Sequence, residues 1–363
     1  MARTTMAKQQ LRRGWTTGAC ATAAVKAAYT ALLTGRFPDP VVISLPGGET
    51  PAFALALEGK GEDWAEAGVI KDAGDDPDVT HGAMIVACVR RAGAGSGVSF
   101  LAGAGVGSVT RPGLPVKVGE PAINPVPRQM MRQVVQALAE AHGETGDVEI
   151  EIAVPGGEAL AAKTWNPRLG IKGGLSILGT TGIVKPFSCA AWIASIHRGI
   201  DVARAAGFTH IAGATGSTSE AALQALYRLP LEALIDMGDF VGGMLKYVRA
   251  HPVPRVTVAG GFGKITKMAQ GAMDLHSGRS QVDFDWLAAL AAALGGGEGV
   301  VEQVRRANTA MEAETVARAL GLPLAEAVAR SAREAGLAML RGADVALDIV
   351  VVDRSGQVIG HGG

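Results

Sequence analysis

Apolar and polar residues follow two different patterns along this chain, and the change lies near Ser188. Before Ser188, short alternating runs separated by turn residues predict strands with a few helices, whereas after it helical and extended apolar segments alternate, which is typical of βαβ units. We therefore predict an α/β protein of two domains with a ligand cleft between them. The predicted segments are a glycine-rich α+β domain over 11–188, an α/β domain with a layered sheet over 189–340, and a C-terminal hairpin over 341–363.

Two helices are predicted in the first domain. The sequence Thr16-Thr17-Gly18 opens an alanine-rich helix with Thr17 as its N-cap, and Gly35 ends it. A second apolar stripe begins at Pro127 and ends near Gly143, and we interpret it as a helix that packs into the core. The residue pattern of the second helix does not suggest a catalytic or ligand-binding role.

The turn sequence Pro-Gly-Gly-Glu occurs twice, at 46–49 and at 155–158, each time after an apolar strand pattern. Each copy predicts a strand, a turn and a second strand. An Ile-Lys pair follows each copy, at 70–71 and at 171–172. We interpret the two copies as a weak internal duplication within the first domain.

Three short apolar strands alternate with helices in the second domain, at 209–212, 231–235 and 255–259. In parallel sheets of this type, ligands bind at the carboxyl ends of the strands. Ser217 and Glu220 form a capping box there, and the helix that follows presents an N-terminus that favours an anion. The sequence therefore predicts a small-ligand crevice at this edge of the sheet.

The predicted crevice suits a nucleoside ligand, because Asp236 follows Gly213 at a spacing at which a carboxylate accepts hydrogen bonds from ribose hydroxyls. The candidate contacts are Gly213, Thr215, Gly216, Ser217, Asp236, Asp239, Gly260 and Gly261. The alternative is that Asp236 and Asp239 are ordinary turn or N-cap residues. Two phosphate-binding motifs fail, since Gly263-Lys264 lacks the flanking residues of a Walker A loop and no helix pattern follows the run 103–107.

The amino-acid composition limits the kinds of molecule that this protein is expected to bind. The 363 residues carry no formal net charge and only 4% aromatic side chains, which argues against nucleic-acid binding. The 50 glycines are spread through the chain and indicate many tight loops. Three separated cysteines support neither a disulfide framework nor a zinc site, and no apolar run is long enough to span a bilayer. We expect a cytoplasmic protein that binds a small molecule and neither nucleic acid nor a membrane.

The run 163–188 contains four cations, five glycines and no carboxylate. Interior glycines disfavour a helix, so they predict loops with accessible backbone amides beside positive side chains. The cations are Lys163, Arg168, Lys172 and Lys185. Such a run is suited to a ligand rich in carboxylates or phosphates, and the alternative is a glycine-rich connector with a solvated basic face.

The segment 71–82 places four carboxylates and an imidazole close together in the sequence. Crowded like charges raise one another's pKa, which allows a carboxylate to exchange a proton near neutral pH. The candidate proton-transfer residues are Asp72, Asp75, Asp76 and His81. The alternative is a turn with Asx caps around Gly74 and Pro77, with His81 in a structural hydrogen bond.

Five stretches of the sequence resemble one family, the cobalt-precorrin-5B C1-methyltransferases of cobalamin biosynthesis. They occur in the family's order over nearly the whole chain. They are 11–20, 71–82, 103–128, 163–188, and 260–264 with His276-Ser277. The resemblance implies a two-domain α/β enzyme that transfers a methyl group from S-adenosylmethionine to C1 of cobalt-precorrin-5B and so gives cobalt-precorrin-6A. It implies no protein-bound metal, because the cobalt belongs to the substrate.

The resemblance also implies roles for particular residues. The tetrapyrrole has acetate and propionate arms, and the first-domain residues expected to hold them are Arg111, Lys117, Arg128, Lys163, Arg168, Lys172, Thr180, Thr181 and Lys185. The second-domain crevice would hold the methyl donor, and the segment from Asp72 to His81 would supply any base. The sequence leaves open whether the protein forms a homo-oligomer and whether it makes transient contacts with neighbouring pathway enzymes. The rival interpretation is a non-catalytic corrinoid carrier, which would use the basic residues but no nucleoside crevice.

Overall fold

The computed structural model describes residues 11–363, and these divide into two compact units. The first unit ends at Ser188 and the second begins at Cys189. Each unit has its own sheet and its own buried apolar side chains, which is expected for a chain of this length. None of the helices within the described residues has the length and hydropathy that crossing a bilayer requires.

A five-stranded sheet lies at the centre of the first unit. In chain order, the elements of this unit are β1 (Gly14–Trp15), α1 (Thr17–Thr34), β2 (Val41–Val42), β3 (Ala52–Phe53), β4 (Leu57–Lys60), β5 (Trp64–Ile70), β6 (Met84–Arg91), β7 (Val98–Ala102), β8 (Ser108–Val109), α2 (Pro125–His142), β9 (Val148–Ala153), α3 (Gly157–Ala161), β10 (Ile171–Lys172) and β11 (Ile183–Val184). The sheet has the order β4-β5-β6-β9-β7. Its neighbours are antiparallel except for β7, which runs parallel to β9.

Helix α1 packs against β5 and β6, with α2 beside it. Its buried face consists largely of alanine, and such small side chains let the helix approach the sheet closely. Ile85, Ile150 and Ile152 fill the sheet side of this core, where each contributes about 1.5–3 kcal/mol relative to an exposed side chain. The predicted end of α2 is confirmed, since Gly143 follows it with a φ of 68°.

The start of α1 differs by one residue from the prediction. Thr16 is the N-cap, and its Oγ1 accepts a hydrogen bond from Ala19 N at 3.2 Å. The assignment of Thr17 as the N-cap is wrong, because the Thr17 hydroxyl accepts a hydrogen bond from Leu178 N at 2.9 Å instead. The predicted end of the helix is confirmed, since Gly35 adopts the left-handed conformation with a φ of 76°.

The first predicted hairpin is confirmed by the antiparallel pair β2 and β3. The second hairpin is wrong, and with it the internal duplication, because the helix α3 follows β9 where a strand was predicted. Both edges of β9 are already paired, with β6 and β7, so a strand over 159–161 would find no free edge beside it. The chain instead enters α3 through Gly156, which has a φ of 75°.

The second unit is built on a mostly parallel sheet. In chain order, its elements are α4 (Cys189–Ala205), β12 (His210–Ala214), α5 (Ser217–Tyr227), a 3-10 turn (Leu231–Ala233), β13 (Leu234–Asp236), α6 (Val241–Ala250), β14 (Arg255–Gly261), α7 (Phe262–Ala269), α8 (Phe284–Ala293), α9 (Glu298–Arg305), α10 (Ala310–Ala319), α11 (Leu324–Leu340), β15 (Ala346–Val352) and β16 (Val358–Gly362). The sheet has the order β13-β12-β14-β15-β16. The strands β12, β13 and β14 are parallel, as predicted. The strand β15 is also parallel to β14, which was not predicted, and β16 returns antiparallel to β15, which confirms the predicted C-terminal hairpin.

The strand order creates a crevice at one edge of this sheet. The chain leaves β12 towards β13 on one side, and it leaves β14 towards β15 on the other side. Because such crossovers are right-handed, the helices that follow β12 and β14 lie on opposite faces of the sheet. The crevice between the carboxyl ends of β12 and β14 is the usual ligand site in open α/β sheets. The C-terminal hairpin belongs to this sheet, since β15 pairs with β14 along its whole length.

Candidate functional site

A cavity of about 370 Å³ opens at this crevice, beside the carboxyl ends of β12, β14 and β15. The first turn of α5 forms one side of it, and the turn after β15 forms another. Its lining residues are Thr215, Gly216, Ser217, Thr218, Ser219, Gly261, Met311, Val352, Asp353 and Arg354. The volume lies within the range of about 300–1,000 Å³ that is typical of small-molecule sites.

The structure brings four of the eight predicted nucleoside contacts to this cavity. These are Thr215, Gly216, Ser217 and Gly261. Gly213 and Gly260 are buried and do not line it. A Cβ built on Gly213 would overlap the Met244 sulfur, and a Cβ built on Gly260 would lie 2.9 Å from the Thr215 side chain. These two glycines therefore allow close packing within the second unit, and a role for them in ligand binding stays a prediction.

Asp236 is the last residue of β13 and Asp239 lies in the turn that follows, and both lie outside the lining of the cavity. The Asp236 carbonyl oxygen accepts a hydrogen bond from Trp192 Nε1 at 3.1 Å. Asp239 Oδ1 lies 3.0 Å from Lys264 Nζ, and Lys264 also donates to the Thr215 carbonyl oxygen at 3.1 Å. Lys264 thus ties the end of β13 to the loop after β12 and holds the wall of the cavity in place.

Helix α5 begins at the cavity with backbone N–H groups that no side chain caps. Gly216 is the N-cap and has no side-chain hydrogen bond, and Ser217 is the first helical residue. The predicted capping box of Ser217 and Glu220 is therefore wrong, because Ser217 lies one position too far along the helix. Ser219 donates its hydroxyl to the Gly216 carbonyl oxygen at 2.8 Å. The first-turn amides and the helix dipole favour an anionic group at this point.

Sequence reasoning missed the cavity residues that follow β15. Asp353 Oδ1 accepts hydrogen bonds from Ser355 Oγ at 2.7 Å, from Ser355 N at 2.8 Å and from Gln357 N at 3.0 Å. These hydrogen bonds lower the pKa of Asp353, and the bond from the Ser355 side chain has the largest effect. The Asp353 carboxylate is therefore charged at neutral pH. A signal was present in the apolar run 346–352. If this run is taken as one more parallel strand, its carboxyl end places Asp353 and Arg354 at the crevice.

A buried glutamate lies on α10, the helix that supplies Met311 to the cavity. Glu314 is 2% exposed, and its Oε2 has no hydrogen-bond partner within residues 11–363. Its Oε1 lies 3.4 Å from Arg318 Nε. Burial raises the pKa of Glu314, and although Arg318 opposes this rise, the charge of Asp353 adds to it. Met311 and Glu314 are three residues apart and so share one face of the helix.

In the first unit, the acidic segment folds against the residues that precede α1. Arg12 forms an ion pair with Asp72 through both terminal nitrogens, and Nη2 lies 3.0 Å from Oδ1. The hydrogen bond from Arg12 lowers the pKa of Asp72, which is opposite to the rise predicted from crowded carboxylates. Asp75 Oδ2 accepts a hydrogen bond from Arg12 N at 2.6 Å, and Asp76 Oδ1 accepts one from Phe187 N at 2.8 Å. The crowding argument fails for Asp72 because a guanidinium group compensates its charge.

The imidazole and the buried lysine of this segment both have structural partners. His81 Nδ1 accepts a hydrogen bond from Ala73 N at 3.1 Å, so a neutral His81 carries its proton on Nε2. Lys71 is 1% exposed and donates to Asp78 Oδ2 at 2.6 Å. Burial by itself would raise the pKa of Asp78, but hydrogen bonds from Lys71 and Thr80 outweigh it and lower the pKa. The Lys71–Asp78 pair therefore fixes the base of the acidic loop.

Several glycines of the basic run serve close packing. A Cβ built on Gly174 would overlap the Gly105 carbonyl oxygen, and a Cβ built on Gly179 would overlap the Thr16 side chain. Gly173 differs, since a Cβ there would meet open space. The expectation of accessible backbone is therefore wrong for Gly174, which is buried between neighbouring segments.

Arg128 has a structural role in the first unit. Its Nε donates to the Ile123 carbonyl oxygen at 2.7 Å, its Nη2 donates to the Pro121 carbonyl oxygen at 3.0 Å, and its Nη1 lies 2.8 Å from Glu120 Oε2. Its side chain is 15% exposed. Arg128 was expected to hold substrate arms. In the structure its guanidinium nitrogens bind the chain that leads into α2 instead.

Two of the other predicted substrate contacts lie on or beside short strand pairs. Lys172 lies on β10, which pairs with β8, and Lys185 directly follows β11, which pairs with β1. Arg111 and Arg168 are half-buried and take part in other interactions. The exposed members of the set are Lys117, Lys163, Lys172, Thr180, Thr181 and Lys185. These exposed side chains are accessible to an acidic ligand.

Comparisons with known proteins place the chain among its relatives. The CbiD family model matches residues 4–186, and the model described as CbiD, C-terminal domain, matches residues 274–363. A protein from Paramagnetospirillum magneticum named cobalt-precorrin-5B C(1)-methyltransferase is 63% identical over 353 residues, which covers 97% of this chain and 98% of that protein. The chain belongs to the CbiD family.

A further relative of this CbiD family protein has the same name, and one solved structure is similar to part of the chain. A protein of the same name from Brucella anthropi is 61% identical and covers 97% of this chain and 96% of its own length. A crystal structure described as a cobalamin biosynthesis protein (cbiD) from Archaeoglobus fulgidus shares 29% identity, with 74% of this chain and 83% of that chain covered and a TM-score of 0.40.

The cavity of this CbiD family protein draws on two parts of the sequence. Asp353 and Arg354 lie within the match to the CbiD C-terminal domain, whereas Thr215 and Gly261 lie between the two matched regions. The site is therefore assembled by the sheet from segments that are distant in the chain.

Glu314→Gln is expected to stabilise this CbiD family protein at neutral and alkaline pH. Because the pKa of Glu314 is raised in the folded state, ionisation costs stability once the pH exceeds the ordinary glutamate value of about 4.5. The gain should thus be absent below about pH 4 and should grow as the pH rises towards the folded pKa. Urea unfolding at several pH values measures it, with the exposed Glu298→Gln as control. A gain that does not vary with pH would contradict the raised pKa.

Proposed function

We propose that this CbiD family protein is an S-adenosylmethionine-dependent methyltransferase that methylates C-1 of cobalt-precorrin-5B to give cobalt-precorrin-6A in corrin ring biosynthesis. The observation that carries the proposal is the 63% identity, over 97% of the chain, to a relative of that name. The cavity of the second unit supports it, because a methyl donor that contains a nucleoside needs a site of that size.

The residues of the cavity fit the proposed cosubstrate. Met311 and Val352 offer apolar surface to an adenine ring, while Ser217, Thr218 and Asp353 offer hydroxyl and carboxylate groups. When bound, S-adenosylmethionine supplies a methyl group already activated by its sulfonium. The protein then has to align this group with the ring carbon and exclude water, and no covalent enzyme intermediate is needed.

The first unit is proposed to hold the tetrapyrrole. Lysines that are exposed on this unit pair well with acetate and propionate groups, and they are Lys117, Lys163, Lys172 and Lys185. Thr180 and Thr181 add hydroxyls close to the start of α1, where Leu178 is bound to Thr17. The half-buried Arg111 and Arg168 stay in the proposed set, whereas Arg128 does not.

Asp75 and Asp76 are the proposed acceptors if the ring sheds a proton as its carbon becomes nucleophilic. Each uses one carboxylate oxygen for a backbone N–H and keeps the other for a substrate. Asp72 is a weaker base, because Arg12 lowers its pKa. Because His81 Nδ1 accepts a hydrogen bond from Ala73 N, the proton of a neutral His81 is on Nε2, and His81 can donate a hydrogen bond from that nitrogen.

Mass spectrometry tests the proposed function. The full chain is incubated with cobalt-precorrin-5B and a donor that carries an isotope-labelled methyl group. We expect the ring to gain one labelled methyl group and S-adenosylhomocysteine to appear in equal amount. A protein that binds the ring and leaves its mass unchanged would instead be a carrier.

A further inference from the structure

The cavity of the second unit offers donors and positive dipole ends on one side. Gly216 is the N-cap of helix α5 and Gly261 is the N-cap of helix α7, in each case without a side-chain hydrogen bond to the helix. Both glycines line the cavity, together with the hydroxyl residues Ser217 and Thr218. Backbone amides at a helix N-terminus and neighbouring hydroxyls are suited to a carboxylate.

The other side of the cavity carries the carboxylate of Asp353 and, next to it in the chain, the guanidinium of Arg354. Asp353 Oδ1 accepts three hydrogen bonds within the turn after β15, and the carboxylate lines the cavity, where it can attract a cation.

The two sides of the cavity lie next to each other. A Cβ built on Gly356 would lie 3.5 Å from Thr218 Cγ2, so the turn that carries Asp353 touches the first turn of α5. A ligand with one negative and one positive group on neighbouring atoms matches this arrangement. A phosphate ligand matches it poorly, because its charges would face Asp353.

We propose that this cavity binds the amino-acid portion of S-adenosylmethionine, with the α-carboxylate at the N-terminus of α5 and the α-ammonium group at Asp353. The proposal rests on the proposed function, which supplies the identity of the cosubstrate. An α-amino acid carries both charged groups on one carbon, and Arg354 on the same cavity wall is a further partner for the carboxylate.

Calorimetric titration with two ligands tests this assignment on the full chain. S-adenosylhomocysteine and 5′-methylthioadenosine share the thioadenosine portion, and the first alone carries the amino-acid group. Thr218→Glu places a carboxylate beside the first-turn amides, and Thr218→Gln adds similar bulk without the charge. An acidic residue in the first turn stabilises a helix, so Thr218→Glu is expected to fold.

We expect the unmodified protein to prefer S-adenosylhomocysteine by at least about tenfold, because the charged end of that ligand is bound. Relative to Thr218→Gln, Thr218→Glu should weaken this ligand by about tenfold and leave 5′-methylthioadenosine unchanged. Asp353→Asn keeps an oxygen for the turn, removes the charge, and should show the same selective loss.

Three results would overturn the proposal: no binding of S-adenosylhomocysteine, equal affinity for the two ligands, or equal weakening by Thr218→Glu and Thr218→Gln. The methyl-transfer assay separates this failure from a failure of the proposed function. A protein that transfers the methyl group but shows none of these differences has its donor site elsewhere. A protein that transfers no methyl group contradicts the proposed function itself.

Discussion

Lys71→Met is expected to lower the free energy of unfolding of the first unit by about 2–4 kcal/mol. The Lys71 side chain is 1% exposed, and its Nζ lies 2.6 Å from Asp78 Oδ2. Methionine fills a similar volume but leaves the Asp78 carboxylate without its cation. The expected loss stays below the largest values for buried pairs, because Asp78 is 25% exposed and keeps two hydrogen bonds from Thr80.

The matched control for this prediction is the double variant Lys71→Met with Asp78→Asn. Asparagine keeps an oxygen for Thr80 N and Thr80 Oγ1 and removes the charge that the single variant leaves unpaired. The double variant should therefore recover part of the lost stability. Hydrogen exchange with mass spectrometry, on peptides from β5 and β6, reports on the first unit by itself. Equal protection in both variants would show that the charge of Asp78 is not the source of the loss.

The Lys71–Asp78 pair also bears on the proposed chemistry. It closes the base of the loop that presents Asp75 and Asp76, whose carboxylates are bound by the backbone of Arg12 and Phe187. A buried ion pair contributes little net stability but defines one conformation, since its loss leaves a charge unpaired. We infer that the pair keeps the candidate proton acceptors in fixed positions.

Local signals in the sequence predicted single elements better than the pairing between them. The glycines Gly35 and Gly143 marked the ends of α1 and α2 correctly, because only the residues around a helix end decide its cap. The second Pro-Gly-Gly-Glu turn was interpreted wrongly, since β9 has partners on both edges and that fact depends on distant strands. For the same reason, the hairpin of β15 and β16 was predicted correctly, but the parallel pairing of β15 with β14 was not.

The candidate site was predicted only in part, for a related reason. The rule that ligands bind at the carboxyl ends of parallel strands found Thr215 and Gly261. It did not separate them from Gly213 and Gly260, which lie on the same strand ends but are buried. Asp353 was missed because its place at the crevice depends on β15 joining the sheet.

Gly105→Ala is expected to destabilise the first unit by about 3 kcal/mol or more. Gly105 has a φ of 75°, and a Cβ there would overlap the Val154 carbonyl oxygen and lie 2.8 Å from Gly157 N. The Gly105 carbonyl oxygen also accepts a hydrogen bond from Leu175 N at 2.9 Å. Three backbone segments cross at this point, and none can move away without losing its own hydrogen bonds.

Gly156→Ala is the matched control for Gly105→Ala, because Gly156 has the same φ of 75° but no atom within 4 Å of a Cβ built there. Its cost should therefore be limited to backbone strain of about 1 kcal/mol. Urea unfolding followed by circular dichroism compares the two variants. Similar losses in both would mean that the left-handed backbone, and not the crossing of three segments, makes glycine necessary at Gly105. A larger loss in Gly105→Ala would show that the close approach of these three backbone segments requires glycine. This contact would then fix the position of the segment that contains Lys172 and Leu175.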